Sequence, residues 1–362
     1  MNDCAKSGCS SPAGAQTAVR FVSGVLSTPV GPVGRIDHDW SWRDRLGAIR
    51  VRLDIGRMDY AVPPGLYASG SPTGQSPVLV TANYKLTVDH LRRAIRGMDA
   101  WLLVLDTKGV NVWCAAGKGT FGTAELVDRI AVTRLAGLVG HRTLVLPQLG
   151  APGIAAHEVH AASGFNVVYG PVRAADLPKF MKDGMRASAE MRTVSFHLGE
   201  RLAVAPVEIV HWSKWLAAIM IVSAVAAAIG AGDYAPAHFV RSAARLLIAF
   251  AGGVILGPVF FPWLPGRAFA VKGAFSGLLA LAIMLAAGLL PLRTATDTMQ
   301  AAGWVLLTLG VSSFLMLAYT GASPYTSLSG TEQETRIGVR LQWTAGIAGL
   351  LLLILPALPV KG

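Results

Sequence analysis

The sequence predicts an α/β domain with a mainly parallel sheet, followed by an all-α transmembrane domain of about five helices. Three observations predict it. Short apolar runs alternate with amphipathic stretches through the first half. Up to about Glu208 the chain is mixed and charged, whereas from Trp212 onward Ala, Leu, Ile, Val and Gly dominate. The mean hydropathy of +0.48 over 362 residues is too high for an ordinary soluble enzyme. The composition changes within "APVEIVHWSKW", near Ile209. The expected organisation is therefore a tail and lead-in over residues 1–62, the α/β domain over 63–208 and the membrane domain over 209–362.

The first 75 residues, rich in Gly, Pro and Trp, carry no clear period. After them "SPVLVTAN" reads as a buried strand and "LTVDHLRRAIRG" as an amphipathic helix. "AWLLVLDT" is a strand and "TAELVDRIAVTRLAGLV" a helix. "TLVLPQ" and "NVVYGPV" are strands with the helix "GIAAHEVHAAS" between them, and "ADLPKFMKDGM" is a closing helix. Strand–helix alternation of this kind implies a mainly parallel sheet covered on both faces.

In the second half, stretches near 212–231, 246–262, 269–290, 301–320 and 344–360 are long enough to cross about 30 Å of hydrocarbon. None holds a charge at its centre, which argues for an anchor rather than a proton-coupled transporter. The start "MNDCAKSGCS" has no apolar core, so no secretory signal is expected. That places the α/β domain on the cytoplasmic side of a multi-pass inner-membrane protein. The positive bias agrees weakly: Arg267, Lys272, Arg336 and Arg340 fall in the inner loops, and Arg241, Arg245 and Arg293 in the outer ones. Three cysteines cannot make a disulfide framework. The net charge of +11 is scattered among acids without an aromatic-interleaved basic motif, so no nucleic-acid partner is expected.

In an open α/β sheet the ligand crevice lies outside the carboxyl ends of the strands. Here those ends are polar or tight. They supply the candidate ligand-binding positions Thr81, Asn83, Asp106, Thr107, Gly150, Ala151, Gly153, Tyr169 and Pro171. Directly after the second end comes "NVWCAAGK", from Asn111 to Lys118. The glycine–lysine pair is no Walker loop, because Val112 and Gly119 break the G-x-x-x-x-G-K-(S/T) pattern, and the dinucleotide G-x-G-x-x-G is missing after the first strand. His157 and His160, three apart, do not meet the H-E-x-x-H spacing of a zinc site.

Asn111 is a good N-cap, which puts Cys114 at the third helical position. The helix dipole and Lys118, one turn on, both favour thiolate. Ala115, Ala116 and Gly117 leave a low surface beside the sulfur, and Gly117 and Gly119 are expected to end the helix within about two turns. Such a thiolate is a nucleophile or a metal ligand. A nucleophile needs a base, and only His141 or His157, distant in sequence, offers one; the flat surface suits a macrocycle better.

The motif Asn-(Val/Ile)-Trp-Cys-Ala-(Ala/Gly)-Gly-Lys resembles the signature of the mercury-methylating corrinoid proteins, the HgcA family. It is complete here as Asn111, Val112, Trp113, Cys114, Ala115, Ala116, Gly117 and Lys118. The agreement extends through "SPVLVTANYKL", "LVLDTKG", "GKGTFGT", "LPQLGAPG" and "YGPVRA", and in the membrane half through "PWLPGRAFAVKGA" and "YTSLSG". The resemblance implies a Rossmann-like corrinoid-binding domain, with these eight residues and the strand-end positions around a cobalamin-type cofactor. It makes Cys114 the catalytic residue and the lower axial ligand of cobalt. The implied reaction is methylation of Hg(II), with a methylated tetrahydrofolate-type pterin as donor. The implied partner is HgcB, a ferredoxin-like protein with two 4Fe–4S clusters. Three cysteines cannot build a four-cysteine cluster within this chain, so electrons must come from outside. The D-x-H-x-x-G cobalamin motif is missing, since His38 and His90 each directly follow an aspartate. A membrane-anchored corrinoid methyl carrier for another acceptor is the alternative, and a transporter or sensor with a ligand-binding domain a third reading.

Overall fold

A computed structural model describes residues 20–230, 236–322 and 328–355. The chain separates into two compact units that part between Val194 and Ser195, with Arg52–Asp54 grouped with the second.

The first unit is built on a seven-stranded sheet of order β1-β2-β3-β5-β4-β6-β7. Its strands are β1 (Val22–Thr28), β2 (Gly31–Ile36), β3 (Gly65–Ser69), β4 (Val78–Ala82), β5 (Ala100–Leu105), β6 (Thr143–Leu146) and β7 (Asn166–Tyr169). The block β5-β4-β6-β7 is parallel throughout, as the alternating pattern predicts. β3 runs antiparallel to β5, and β1 and β2 form an antiparallel hairpin beyond it, which makes the whole sheet mixed. β4 and β5 are buried at every residue, so they read as continuous apolar runs rather than alternating ones.

Among the described residues, seven short helices precede the long α8 (Leu198–Gly230): α1 (Trp42–Arg52), α2 (Lys85–Ala94), α3 (Val112–Lys118), α4 (Thr123–Val132), α5 (Ala156–Ser163), α6 (Leu177–Lys182) and α7 (Ala189–Arg192). The stretch expected as one helix from 123 to 139 stops at Val132. Arg134 takes a left-handed conformation at φ 51°, and a short 3₁₀ turn, Leu135–Gly137, follows. The crossover helices α2, α4 and α5 bury Val88 and Leu91, Leu126 and Ile130, and Val159.

β4 is the strand at which the order reverses, with β5 on one side and β6 on the other. Its carboxyl end therefore lies at a topological switch point, where connections leave in opposite directions and a crevice opens.

The second unit is helical. Among the described residues, five helical stretches are long and apolar enough to cross a membrane: Leu198–Ile221, Phe239–Phe260, Phe269–Ala286, Ala295–Ala318 and Ser329–Ile354. The first helix starts upstream of Ile209, where the composition changes, because its charged early turns carry Glu200, Arg201 and Glu208. The last begins well before Thr344, with Glu332, Glu334, Arg336 and Arg340 inside the helix. Polar side chains knit the bundle. Gln342 Nε2 donates to Ser313 Oγ over 2.9 Å, and Ser312 Oγ to the Ala249 carbonyl over 3.0 Å. Lys272, at the start of its helix, donates to the carbonyl oxygens of Phe261 and Leu264. Cys4, Cys9 and much of "YTSLSG" lie outside the described residues.

Candidate functional site

The β5–α3 connection is held by side-chain hydrogen bonds and two left-handed residues. After Leu105 the chain turns through Lys108 (φ 58°) and Gly109 (φ 71°), both left-handed. Glycine adopts this at no steric cost and lysine does not. Asn83, at the end of β4, holds the turn: its Oδ1 accepts from the Thr107 and Gly109 amides, at 3.1 and 2.9 Å. The Thr107 hydroxyl lies 2.8 Å from the same oxygen and 2.6 Å from the Val110 carbonyl. Asp106 is paired with Lys108 at 2.6 Å. Partial burial works to raise the Asp106 carboxyl, but the hydrogen bonds from Lys108 prevail and hold it below its ordinary value.

This loop delivers α3. Asn111 is its N-cap, accepting from the Cys114 amide at 2.9 Å, so Cys114 occupies the third helical position. The helix lasts seven residues and ends on Gly119 in the left-handed conformation at φ 78°. Val112, Ala115 and Ala116 face the core. Trp113, Gly117 and Lys118 are exposed, and Cys114 is half-buried among them. A Cβ placed on Gly117 would meet no atom within 4 Å, so the helix presents a low, open face beside the sulfur.

From the other side α3 is wedged by the 3₁₀ turn Gln148–Gly153. A Cβ on Gly153 would lie 2.1 Å from the Phe121 carbonyl oxygen and 3.1 Å from Ala116 Cα, and one on Gly150 would strike the Phe121 ring. Tyr169 donates its hydroxyl to the Ile154 carbonyl at 2.9 Å, securing the end of that turn.

A cavity of about 380 Å³ opens at the switch point. Leu79, Val80 and Thr81 of β4, Val145 and Leu146 of β6, and Thr87, His90 and Leu91 of α2 line it. Asn111, Val112 and Trp113 close it from the α3 side, with Pro147, Leu149, Pro171, Val172, Ala174 and Leu177 from the loops beyond the strands.

The structure sorts the sequence-derived candidates into three groups. Thr81, Asn111, Val112, Trp113 and Pro171 line the cavity. Cys114, Gly117 and Lys118 lie on the outward face of α3 beside it. Asn83, Asp106, Thr107, Ala115, Ala116, Gly150, Gly153 and Tyr169 are engaged with the protein itself, shaping the loop, the helix core or the supporting turn in which Ala151 also lies. Sequence reasoning missed Thr87, His90, Pro147, Val172, Ala174 and Leu177. Thr87 and His90 are three apart on α2, a spacing that puts them on one face, and this was the available signal. His157 and His160 are both exposed, away from the cavity lining.

Fold and site together describe a chain with five candidate membrane spans and an α/β unit whose crevice is flanked by a short cysteine-bearing helix. Residues 55–181 match the family model described as CO dehydrogenase/acetyl-CoA synthase delta subunit. The chain is 36% identical over 127 residues to the acetyl-CoA decarbonylase/synthase complex subunit gamma of Methanopyrus kandleri, covering 34% of this chain and 27% of that protein. The corresponding subunit of Methanosarcina acetivorans is 35% identical over 133 residues (35% and 27%), and that of Archaeoglobus fulgidus 33% over 129 residues (34% and 27%). The chain thus spans about a quarter of the length of the curated relatives it matches.

Proposed function

We propose that the chain is a membrane-anchored corrinoid-dependent methyltransferase that methylates inorganic Hg(II), with Cys114 as the lower axial ligand of cobalt. The observation that carries the reading is Cys114 itself. It stands at the third position of a short capped helix, within an uninterrupted "NVWCAAGK", beside the switch-point cavity. The similarity to subunits of acetyl-CoA decarbonylase/synthase supports the corrinoid part of it.

The residues present fit such a group. A thiolate is a soft donor suited to a transition metal. The open space above Gly117 accepts a flat molecule, and the largely apolar cavity beside Trp113 adds room. A corrinoid held there supplies a cobalt centre that carries a methyl group. Asn111 fixes the first turn of α3 and so the position of the sulfur. Asn83 fixes the loop that leads into it, and Gly153 and Phe121 brace the helix from behind. The proposal places the α/β unit in the cytoplasm, at the inner membrane. It takes a methylated tetrahydrofolate-type pterin as donor and ferredoxin-like HgcB, with its two 4Fe–4S clusters, as electron source.

One finding favours a second reading. The relatives' names concern acetyl-CoA chemistry and not mercury, which suits a membrane-anchored methyl carrier for another acceptor. The experiment is turnover by the purified full-length protein with methylated pterin, Hg(II) and a low-potential reductant in place of the electron-donating partner, alongside its visible spectrum. A corrinoid spectrum with methylmercury formed is the expected result. A corrinoid spectrum without methylmercury supports the second reading, and a protein that purifies and refills without corrinoid overturns both. Cys114→Ala should keep its fold within about 1 kcal/mol, shift the cobalt spectrum and form no methylmercury; wild-type turnover by this variant would end the axial-ligand assignment.

A further inference from the structure

Helix α1, WRDRLGAIRVR, turns its largest apolar residues outward and its one carboxylate inward. Its buried residues are Asp44, Ala48 and Val51. Its large apolar residues, Trp42, Leu46 and Ile49, are 67%, 47% and 53% exposed. Their spacing of four and three places them on one stripe.

The orientation is imposed by charge rather than by hydrophobic burial. Asp44 is ion-paired with Lys85 at 2.6 Å and with Arg92 at 2.9 Å. Arg92, fully buried, also pairs with Asp89 at 2.8 Å and donates to the Asp37 and Asp39 carbonyls. Breaking so many buried charged contacts to roll the helix over would cost far more than the exposed stripe would regain.

The charge on the outward side is one-signed. Asp44 is the helix's single acid, and it is turned inward. At about 100° per residue, Arg43 and Arg50 fall along one flank of the apolar stripe and Arg45 and Arg52 along the other. Arg43 lies over the Trp42 ring at 5.2 Å. An apolar stripe edged on both sides by arginines matches a planar surface that is apolar below and anionic above. A helix lying in a lipid interface has this form: its stripe sinks among the acyl chains while the guanidinium groups reach the phosphates.

We infer that the outward face of α1 docks on an anionic lipid bilayer. The five candidate spans of the same chain hold the unit at a membrane, so the surface is always near. Each arginine near an anionic leaflet adds attraction, and the stripe supplies the apolar anchor. This inference rests on the membrane spans and α1 alone, and stands or falls independently of the corrinoid reading.

The test is amide hydrogen exchange over residues 42–52 of the full-length protein in nanodiscs. One disc is pure phosphatidylcholine, and the other contains a third phosphatidylglycerol. Exchange should be slower in the anionic discs by roughly tenfold or more. The gain should vanish in Leu46→Glu/Ile49→Glu and shrink in Arg43→Gln/Arg50→Gln, with exchange in β4 and β5 unchanged as the measure of intact fold. If the double glutamate variant does not fold, the arginine variant and the wild-type lipid comparison decide the matter. Equal exchange in both discs overturns the inference. So does protection that appears only when a soluble partner protein is added.

Discussion

Two helices of the α/β unit, α1 and α3, both turn a tryptophan outward, yet they are held in different ways. α3 is placed by backbone sterics: an asparagine cap, a left-handed glycine at its end, and two glycines packed so tightly behind it that a methyl group would not fit. α1 is placed chiefly by buried ion pairs, with one close approach of its own at Gly47, where a Cβ would meet the Tyr60 side chain rather than backbone. Steric placement leaves the first turn of α3, and with it Cys114, little room to move. Ionic placement fixes which face looks outward and tolerates more play, which suffices for a surface.

The contrast is broken most severely at Gly153. Gly153→Ala puts a methyl group into the Phe121 carbonyl and the Ala116 backbone, neither of which can rotate away. Overpacking of this kind costs about 3 kcal/mol, and α3 must shift to relieve it. Thermal unfolding should show the loss, and cofactor content should fall with it. A variant of wild-type stability would mean that the turn yields and that α3 is not sterically placed. Such a turn residue supports the site through its packing against α3.

For α1 the corresponding change is electrostatic. Burial alone would raise the Asp44 carboxyl, but hydrogen bonds from Lys85 and Ser41 bring it down from 3.8 to about 2. A carboxyl depressed in the folded state stabilises fully above its unfolded value, and that contribution fades as pH falls from 3.8 toward about 2. Asp44→Asn should cost about 2–3 kcal/mol at neutral pH, because Asp89 still neutralises part of the cluster. The gap between wild type and variant should narrow across that acid window. A gap independent of pH there would show that Asp44 packs rather than pairs.

The sequence made α3 legible and α1 opaque for the same physical reason. The cap, the helix end and the third-position cysteine are local features, readable from a few neighbouring residues, and they lie where expected at Asn111, Gly119 and Cys114. So do β4 to β7, whose apolar runs are continuous. α1 reads as a poor core helix because its partners, Lys85 and Arg92, are some 40 residues away in sequence and charged. The same distance hid the role of Asn83. From sequence it is a polar strand end facing a ligand, whereas in the fold its oxygen is consumed by the Thr107 and Gly109 amides. β1 to β3 were missed because Gly and Pro blur the alternation and β3 pairs antiparallel to β5 across an intervening strand in the sequence.

The smallest expected effect separates capping from packing within α3. Asn111→Ala removes the acceptor for the Cys114 amide and leaves Gly153, Phe121 and Ala116 in contact as before. Loss of an N-cap costs about 1 kcal/mol, well below the cost at Gly153. The Cys114 amide should exchange faster while the β4 and β5 amides do not, since only the first turn is loosened. Asn111→Asp retains an oxygen acceptor at the helix start and should restore slow exchange. If alanine and aspartate behave alike, the cap contributes nothing to holding the sulfur, and the turn behind α3 does all of the positioning.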